Sequence, residues 1–214
     1  MKTPDLKDAI DKVIGRSFNA ITDLYNKKND HTRLKFPQYT HGSQKGKPRV
    51  SEQEFRQLFV EEFNIITNEL CIDWYYSIET PTKKKYRFSG EDNPGESEYG
   101  VSGRFDLTIW LNDKMVAVIE FKAGNASPQN YEKDICKLVN PDEGEKDTLR
   151  YFVNILEDSN QITIDSLDKK LTVCMNKIGE KLKVRKKDKK TIHYWFLSMG
   201  VHRQRNKYSK EFIY

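Results

Sequence analysis

"GRFDLTIWLNDKMVAVIEFKAG", residues 103–124, is the stretch whose reading decides the fold. Two apolar runs flank the polar Asn112-Asp113-Lys114, a pattern that reads as two strands of a hairpin. The second run ends in Glu120 and Lys122, and charged side chains are rarely buried unless paired or bound to a metal. Alternation along a strand sends Phe105, Leu107 and Ile109 one way and Asp106, Thr108 and Trp110 the other. In the second strand Glu120 and Lys122 share a face with Val116 and Val118. Whether Asp106 meets Glu120 depends on the loop. A two-residue turn at Asn112-Asp113 puts Asp106 opposite Ile119 and sends the carboxylates to opposite faces. A three-residue loop, or an equivalent bulge, puts Asp106 directly opposite Glu120 with Cβ atoms roughly 5 Å apart. The odd-length loop or bulge is the expectation, because it gives both charges a common purpose.

Outward from the hairpin, CIDWYYSIET (71–80) and KKYRF (84–88) read as strands, followed by a polar loop over 89–100. Upstream, Ser51 and Glu54 form a capping-box pattern, and Phe55, Leu58, Phe59, Phe63 and Ile66 carry the stripe of a helix over about 52–69. Leu6, Ile10, Val13, Ile14, Ile21 and Leu24 predict another helix over 5–27, and residues 28–50 read as a connecting segment. Downstream, PQNYEKDICKLV (128–139) fits a helix with Tyr131, Ile135, Leu138 and Val139 inward. YFVNIL (151–156) leans to a buried strand, Ile164 to Leu182 keeps helical spacing, and TIHYWFLS (191–198) is a further strand. The order predicts an α/β fold, a mixed sheet flanked by helices. Two parts are expected: an N-terminal helix with its connecting segment over 1–50, and the main domain over 51–214.

The length of 214 residues is enough for a sizeable core. Charged residues make up 32%, and 37 Lys and Arg against 32 Asp and Glu give +5, which mildly favours an acidic partner such as nucleic acid. Cys71, Cys136 and Cys174 are widely spaced and read as buried reduced thiols, and the four histidines lack zinc spacing. The opening MKTPDLKDAIDKV has no apolar run of a secretory signal, and no stretch approaches the ~20 apolar residues of a membrane span. A cytoplasmic location without membrane attachment is expected.

Two carboxylates brought together repel, and one takes up a proton unless a divalent cation sits between them. Mg²⁺ suits oxygen ligands and keeps positions for water and phosphate, and Mn²⁺ is expected to substitute for it. Lys122, about 7 Å along the strand from Glu120 on the same face, can then reach a phosphate or the water that attacks it.

Asp106, followed after a hairpin by Glu120-Phe121-Lys122, resembles the motif of the PD-(D/E)xK nuclease superfamily. GRFDLTIW and AVIEFKA are similar to the nuclease domain of type I restriction motor subunits and to archaeal Holliday-junction resolvases. Phe105 stands where the superfamily's name has proline. The resemblance covers roughly residues 50–160. It implies a restriction endonuclease-like core and a Mg²⁺-dependent nuclease cutting DNA, in a restriction or phage-defence setting. It implies that Asp106, Glu120 and Lys122 are catalytic, with Asp106, Glu120 and the Phe121 carbonyl on the metal. A helix glutamate assists the metal in those families, and Glu52 matches best here, with Glu54 second. The helix around Gln129, Tyr131, Lys133 and Lys137 would face the substrate. Many relatives cut as dimers, so a second copy or a partner subunit is a further expectation.

The same side chains also fit ordinary structural roles. Asp106, Glu120 and Lys122 suit a cross-strand ion cluster, and Glu52 and Glu54 suit favourable placement at a helix start. Arg104 is either a phosphate contact or a surface charge. The run KVRKKDKK (183–190), with Lys186 and Lys187, is either a solvated turn or a backbone contact. A module that binds nucleic acid or protein with the same fold and no catalysis is the alternative function. A domain fused to a motor or specificity partner is a third.

Overall fold

The computed structural model describes residues 5–28, 32–87, 95–96, 100–157, 161–181, 190–199 and 206–213. The chain divides into two compact units, Met1–Asp73 and Trp74–Tyr214. In the first, α1 (Leu6–Tyr25) and α2 (Glu52–Leu70) pack through the stripes that the sequence marks. Ile10, Ile14, Phe18, Ile21, Phe55, Phe59 and Ile66 are fully buried, and the Phe18 and Phe55 rings lie 5.5 Å apart. Arg16 bridges the helices to Glu62 at 2.6 Å and Glu69 at 3.0 Å. The helix over 52–70 therefore belongs with α1, and the division falls at Asp73/Trp74 where the sequence suggested residue 50. An amphipathic stripe announces burial without naming the partner.

The second unit is an α/β structure around a seven-stranded mixed sheet. Its strands are β1 (Trp74–Arg87), β2 (Gly95–Glu96), β3 (Val101–Leu111), β4 (Lys114–Ala123), β5 (Leu149–Leu156), β6 (Thr191–Ser198) and β7 (Asn206–Ile213). Their order is β2-β1-β3-β4-β5-β6-β7, with β4, β5 and β6 parallel and the remaining pairs antiparallel. Parallel neighbours need crossovers, which α3 (Pro128–Val139) and α4 (Gln161–Lys181) supply. Tyr131, Ile135 and Leu138 of α3 join Leu167, Leu171 and Met175 of α4 over Val118, Phe152 and Tyr194 of the sheet. Each such burial contributes about 1.5–3 kcal/mol.

Three expectations change. The two strands expected over 71–88 are the single strand β1, whose register shifts between Pro81 and Lys85. The last strand, β7, has no counterpart in the sequence reading. Cys136 and Cys174 are buried, but Cys71 is exposed, because it is the left-handed C-cap of α2 at φ 52° and not a core position. Among the described residues no helix is long and apolar enough to cross a membrane.

The hairpin meets its condition by the second of the two routes. Leu111 pairs with Lys114 and Trp110 with Met115 across a two-residue turn, so the three-residue loop is not formed. The register then shifts, and Ile109 pairs with Ala117 and Leu107 with Ile119. Val116 is thus the extra residue of a bulge, which brings Asp106 level with Glu120. The turn itself needs Asn112 at φ 49°, a conformation that Asn tolerates and β-branched residues resist. Asn112→Val is expected to cost roughly 1–2 kcal/mol in urea unfolding and Asn112→Gly close to nothing. A valine variant as stable as wild type would show that the turn does not depend on this backbone state.

Candidate active site

Beyond Leu107↔Ile119 the pairing of β3 with β4 ends, although β3 continues along β1 and β4 continues along β5. Side chains meet backbone groups where the strands part. Asp106 Oδ2 accepts the Phe121 amide at 2.8 Å, and Lys137 Nζ of α3 donates to the Arg104 carbonyl at 2.7 Å. Gly103 makes room for this: a Cβ there would lie 3.2 Å from Lys137 Cδ and 3.3 Å from Thr82.

Alternation along β4 turns Val118, Glu120 and Lys122 toward α3. Glu120 is 0% exposed and lies 2.5 Å from Lys137 Nζ. That contact is an ion pair outside hydrogen-bond geometry, and neither Glu120 oxygen makes a hydrogen bond. Lys137 also pairs with Asp134 at 3.2 Å, and Asp134 reaches Lys122 at 2.7 Å. Three carboxylates, Asp106, Glu120 and Asp134, thus face two ammonium groups. Burial pushes the Glu120 carboxyl well above its usual range; Lys137 opposes the shift, while Asp106 and Asp134 add to it. Burial alone would lower the Lys137 ammonium, but Glu120 and Asp134 outweigh it and hold Lys137 above its ordinary value. The cluster sets three carboxylates against two ammonium groups, and both Glu120 oxygens and Asp134 Oδ2 are buried without a hydrogen bond.

Buried carboxylate oxygens without hydrogen bonds are donors of the kind a divalent cation takes, although here they lie against lysine ammonium groups. Among the described residues no group of three or more His, Cys, Asp or Glu side chains is disposed to hold a metal. A cation here would therefore draw on Asp106, Glu120 and the Phe121 carbonyl, with water or phosphate completing the shell, as is usual for Mg²⁺.

The other expected residues fall into four sets. Arg104 has an exposed side chain 3.9 Å from Glu79, and Gln129 and Lys133 lie exposed on α3. Lys137 and Tyr131 do not face outward as a substrate surface requires. Lys137 is 2% exposed within the ion cluster, and Tyr131 is buried, its hydroxyl between the Gly124 carbonyl and Asn154. Glu52 opens α2 in the first unit, where the Glu54 carboxylate is engaged by the Ser51 amide at 3.0 Å and by its hydroxyl. Lys186 and Lys187 lie outside the described residues.

Sequence reasoning missed Asp134, and it gave Lys137 the wrong role. The signal was present. Tyr131, Asp134, Ile135 and Leu138 fall at i, i+3, i+4 and i+7, so an acid sits within the inward stripe of α3. Lys137 lies three residues after Asp134, within reach of it on the helix. Comparison with protein-family models, curated proteins and solved structures finds no match for the chain.

Proposed function

We propose that the protein is a divalent-metal-dependent nuclease with a restriction endonuclease-like core, hydrolysing phosphodiester bonds of DNA. The observation that carries this reading is the bulge at Val116, which puts Asp106 level with Glu120 while Lys122 shares the Glu120 face. Such a bulge leaves two carboxylates and a lysine at the point where two strands part, with the buried Glu120 oxygens ion-paired to Lys137 and without hydrogen bonds.

Asp106, Glu120 and the Phe121 carbonyl would hold the cation. The chemistry such an ion supplies is polarisation of a phosphoryl oxygen and acidification of water. Lys122, with its side chain 13% exposed and braced by Asp134, presents a fixed positive charge toward a phosphate on which negative charge grows. Arg104, Gln129 and Lys133 are exposed on the neighbouring elements and suit backbone contacts that position a duplex without reading its sequence. A restriction or defence setting, and action as a dimer or with a partner subunit, rest on the family resemblance.

One observation favours the second reading, a binding module without catalysis. Both lysines of the cluster are already paired with carboxylates. Incubating the whole chain with plasmid, linear duplex, single-stranded DNA and RNA separates the two. Cleavage that requires Mg²⁺ or Mn²⁺ and stops with a chelator is the expected result. Absence of cation-dependent cleavage of every substrate overturns the enzyme reading, and gel-shift binding to the same substrates would then support the module.

A further inference from the structure

Lys137 is seated too deeply to serve as a surface charge, and it is more completely satisfied than Glu120 beside it. Its ammonium donates to the Arg104 carbonyl at 2.7 Å and forms ion pairs with Glu120 at 2.5 Å and Asp134 at 3.2 Å. The stem lies against Gly103, where any side chain would crowd it, and the ammonium sits 6.0 Å from the centre of the Phe105 ring. Every element that meets Lys137 is therefore shaped around a cation at this one place. The carboxylate it neutralises is the same one left without hydrogen bonds.

We propose that Lys137 is a tethered counter-ion that stands in for the divalent cation at Glu120 and sets how tightly that cation binds. The inference rests on the metal-binding part of the proposed function. Two positive charges cannot both lie against one buried carboxylate without repulsion, and low local polarity strengthens the effect. A cation arriving at Glu120 has to take that carboxylate from Lys137. Lys137 need not leave its seat, because Asp134 and the Arg104 carbonyl remain as partners. Asp134 also holds Lys122, so the two lysines are linked through one acid. Lys137 is accordingly a positioning residue, acting on the cation through Glu120.

Lys137→Met keeps the length of the stem and removes the charge. Titration of the whole chain with Mn²⁺ at fixed pH and ionic strength, followed by the paramagnetic signal of free Mn²⁺, reads the affinity. Lys137→Met is expected to bind Mn²⁺ ~10–100-fold more tightly than wild type, the scale on which neighbours of metal ligands act. Glu120→Gln combined with Lys137→Met should lose that gain. A merely structural lysine would leave affinity unchanged or weaken it, so an affinity no tighter than wild type overturns the inference. Should the single variant be poorly folded without metal, Mn²⁺ is expected to raise its thermal midpoint by more than it raises that of wild type. A variant that stays unfolded in millimolar Mn²⁺ also overturns the inference. Cleavage measured alongside keeps the two ideas apart. Tighter Mn²⁺ binding with no cleavage by either protein leaves the inference standing and sinks the nuclease; cleavage by wild type with unchanged affinity in the variant does the reverse. If neither protein binds Mn²⁺, both fall.

Discussion

Asp106→Asn and Lys122→Met are each expected to reduce metal-dependent cleavage by on the order of 10²–10³-fold or more, the range for losing one group that stabilises charge at a reacting centre. The two losses should differ in kind. Asparagine keeps an oxygen that can still accept the Phe121 amide, so the parting of β3 and β4 survives while the negative charge is lost. Mn²⁺ affinity should fall together with the rate. Methionine at 122 leaves Asp134 paired with Lys137, and it leaves both carboxylates that would hold the cation. In that variant Mn²⁺ affinity should persist while turnover disappears, since in the proposed nuclease the lysine would act on the phosphate. Single-turnover cleavage and Mn²⁺ titration on the same preparations check both statements. If either variant cuts at the wild-type rate, the site is misplaced. If Lys122→Met loses cation binding and Asp106→Asn retains it, the assigned roles are reversed.

Helices and inner strands were legible because each is long, strongly periodic or densely apolar. Helix α3 was read with its bounds at 128–139, and the structure adds Ser127 as its cap. The sequence could state only a condition for the hairpin, that the connection be odd in length or bulged. It could not place the bulge, because Val116, Ala117, Val118 and Ile119 are all buried and offer no alternation to mark a slipped register. Strand β7, with the sequence NKYSKEFI, hides for the opposite reason. Its letters are mostly polar and mark no continuous apolar run, and only pairing with β6, from Thr191↔Ile213 to Ser198↔Asn206, makes it a strand. The acids and lysines of α3 were visible as letters. Their meeting with Glu120 and Lys122 depends on a crossover that periodicity does not encode. The same holds for β1, where Pro81-Thr82 looks like a break between two strands, although one strand runs through it because a distant loop holds its backbone.

Glu143→Ala is expected to destabilise the sheet unit by ~3–5 kcal/mol, the scale for removing one member of a buried ionic network. Glu143 is 1% exposed, and its carboxylate accepts the amides of Lys83 and Lys84, each at 2.9 Å, and the Tyr86 hydroxyl at 2.8 Å. These are the residues at which β1 shifts register. Arg150 is fully buried below and donates to the Leu138 carbonyl at 2.8 Å and to the Glu143 carbonyl. Burial pulls its guanidinium down to about 10, with Glu143 opposing the shift, so it stays charged at neutral pH and needs the nearby carboxylate. Alanine leaves two backbone donors and a phenol without that acceptor and a buried guanidinium without its counter-charge, while the Arg150 bond to the residue 143 carbonyl remains. Glu143→Gln keeps one acceptor oxygen and the shape but turns an amide toward donors, at a cost of ~1–3 kcal/mol. Urea unfolding at neutral pH reads both. The consequence reaches the site, because Thr82 in the same bend donates to the Gly103 carbonyl at 3.2 Å, and Gly103 is where the Lys137 stem rests. A folded Glu143→Ala protein should therefore bind Mn²⁺ with altered affinity even though Glu143 touches none of the cluster. A loss below about 1 kcal/mol, smaller than the ~1–3 kcal/mol of one stranded buried donor, would mean that pairing with β3 alone holds the bend and that Glu143 merely fills the space beneath it.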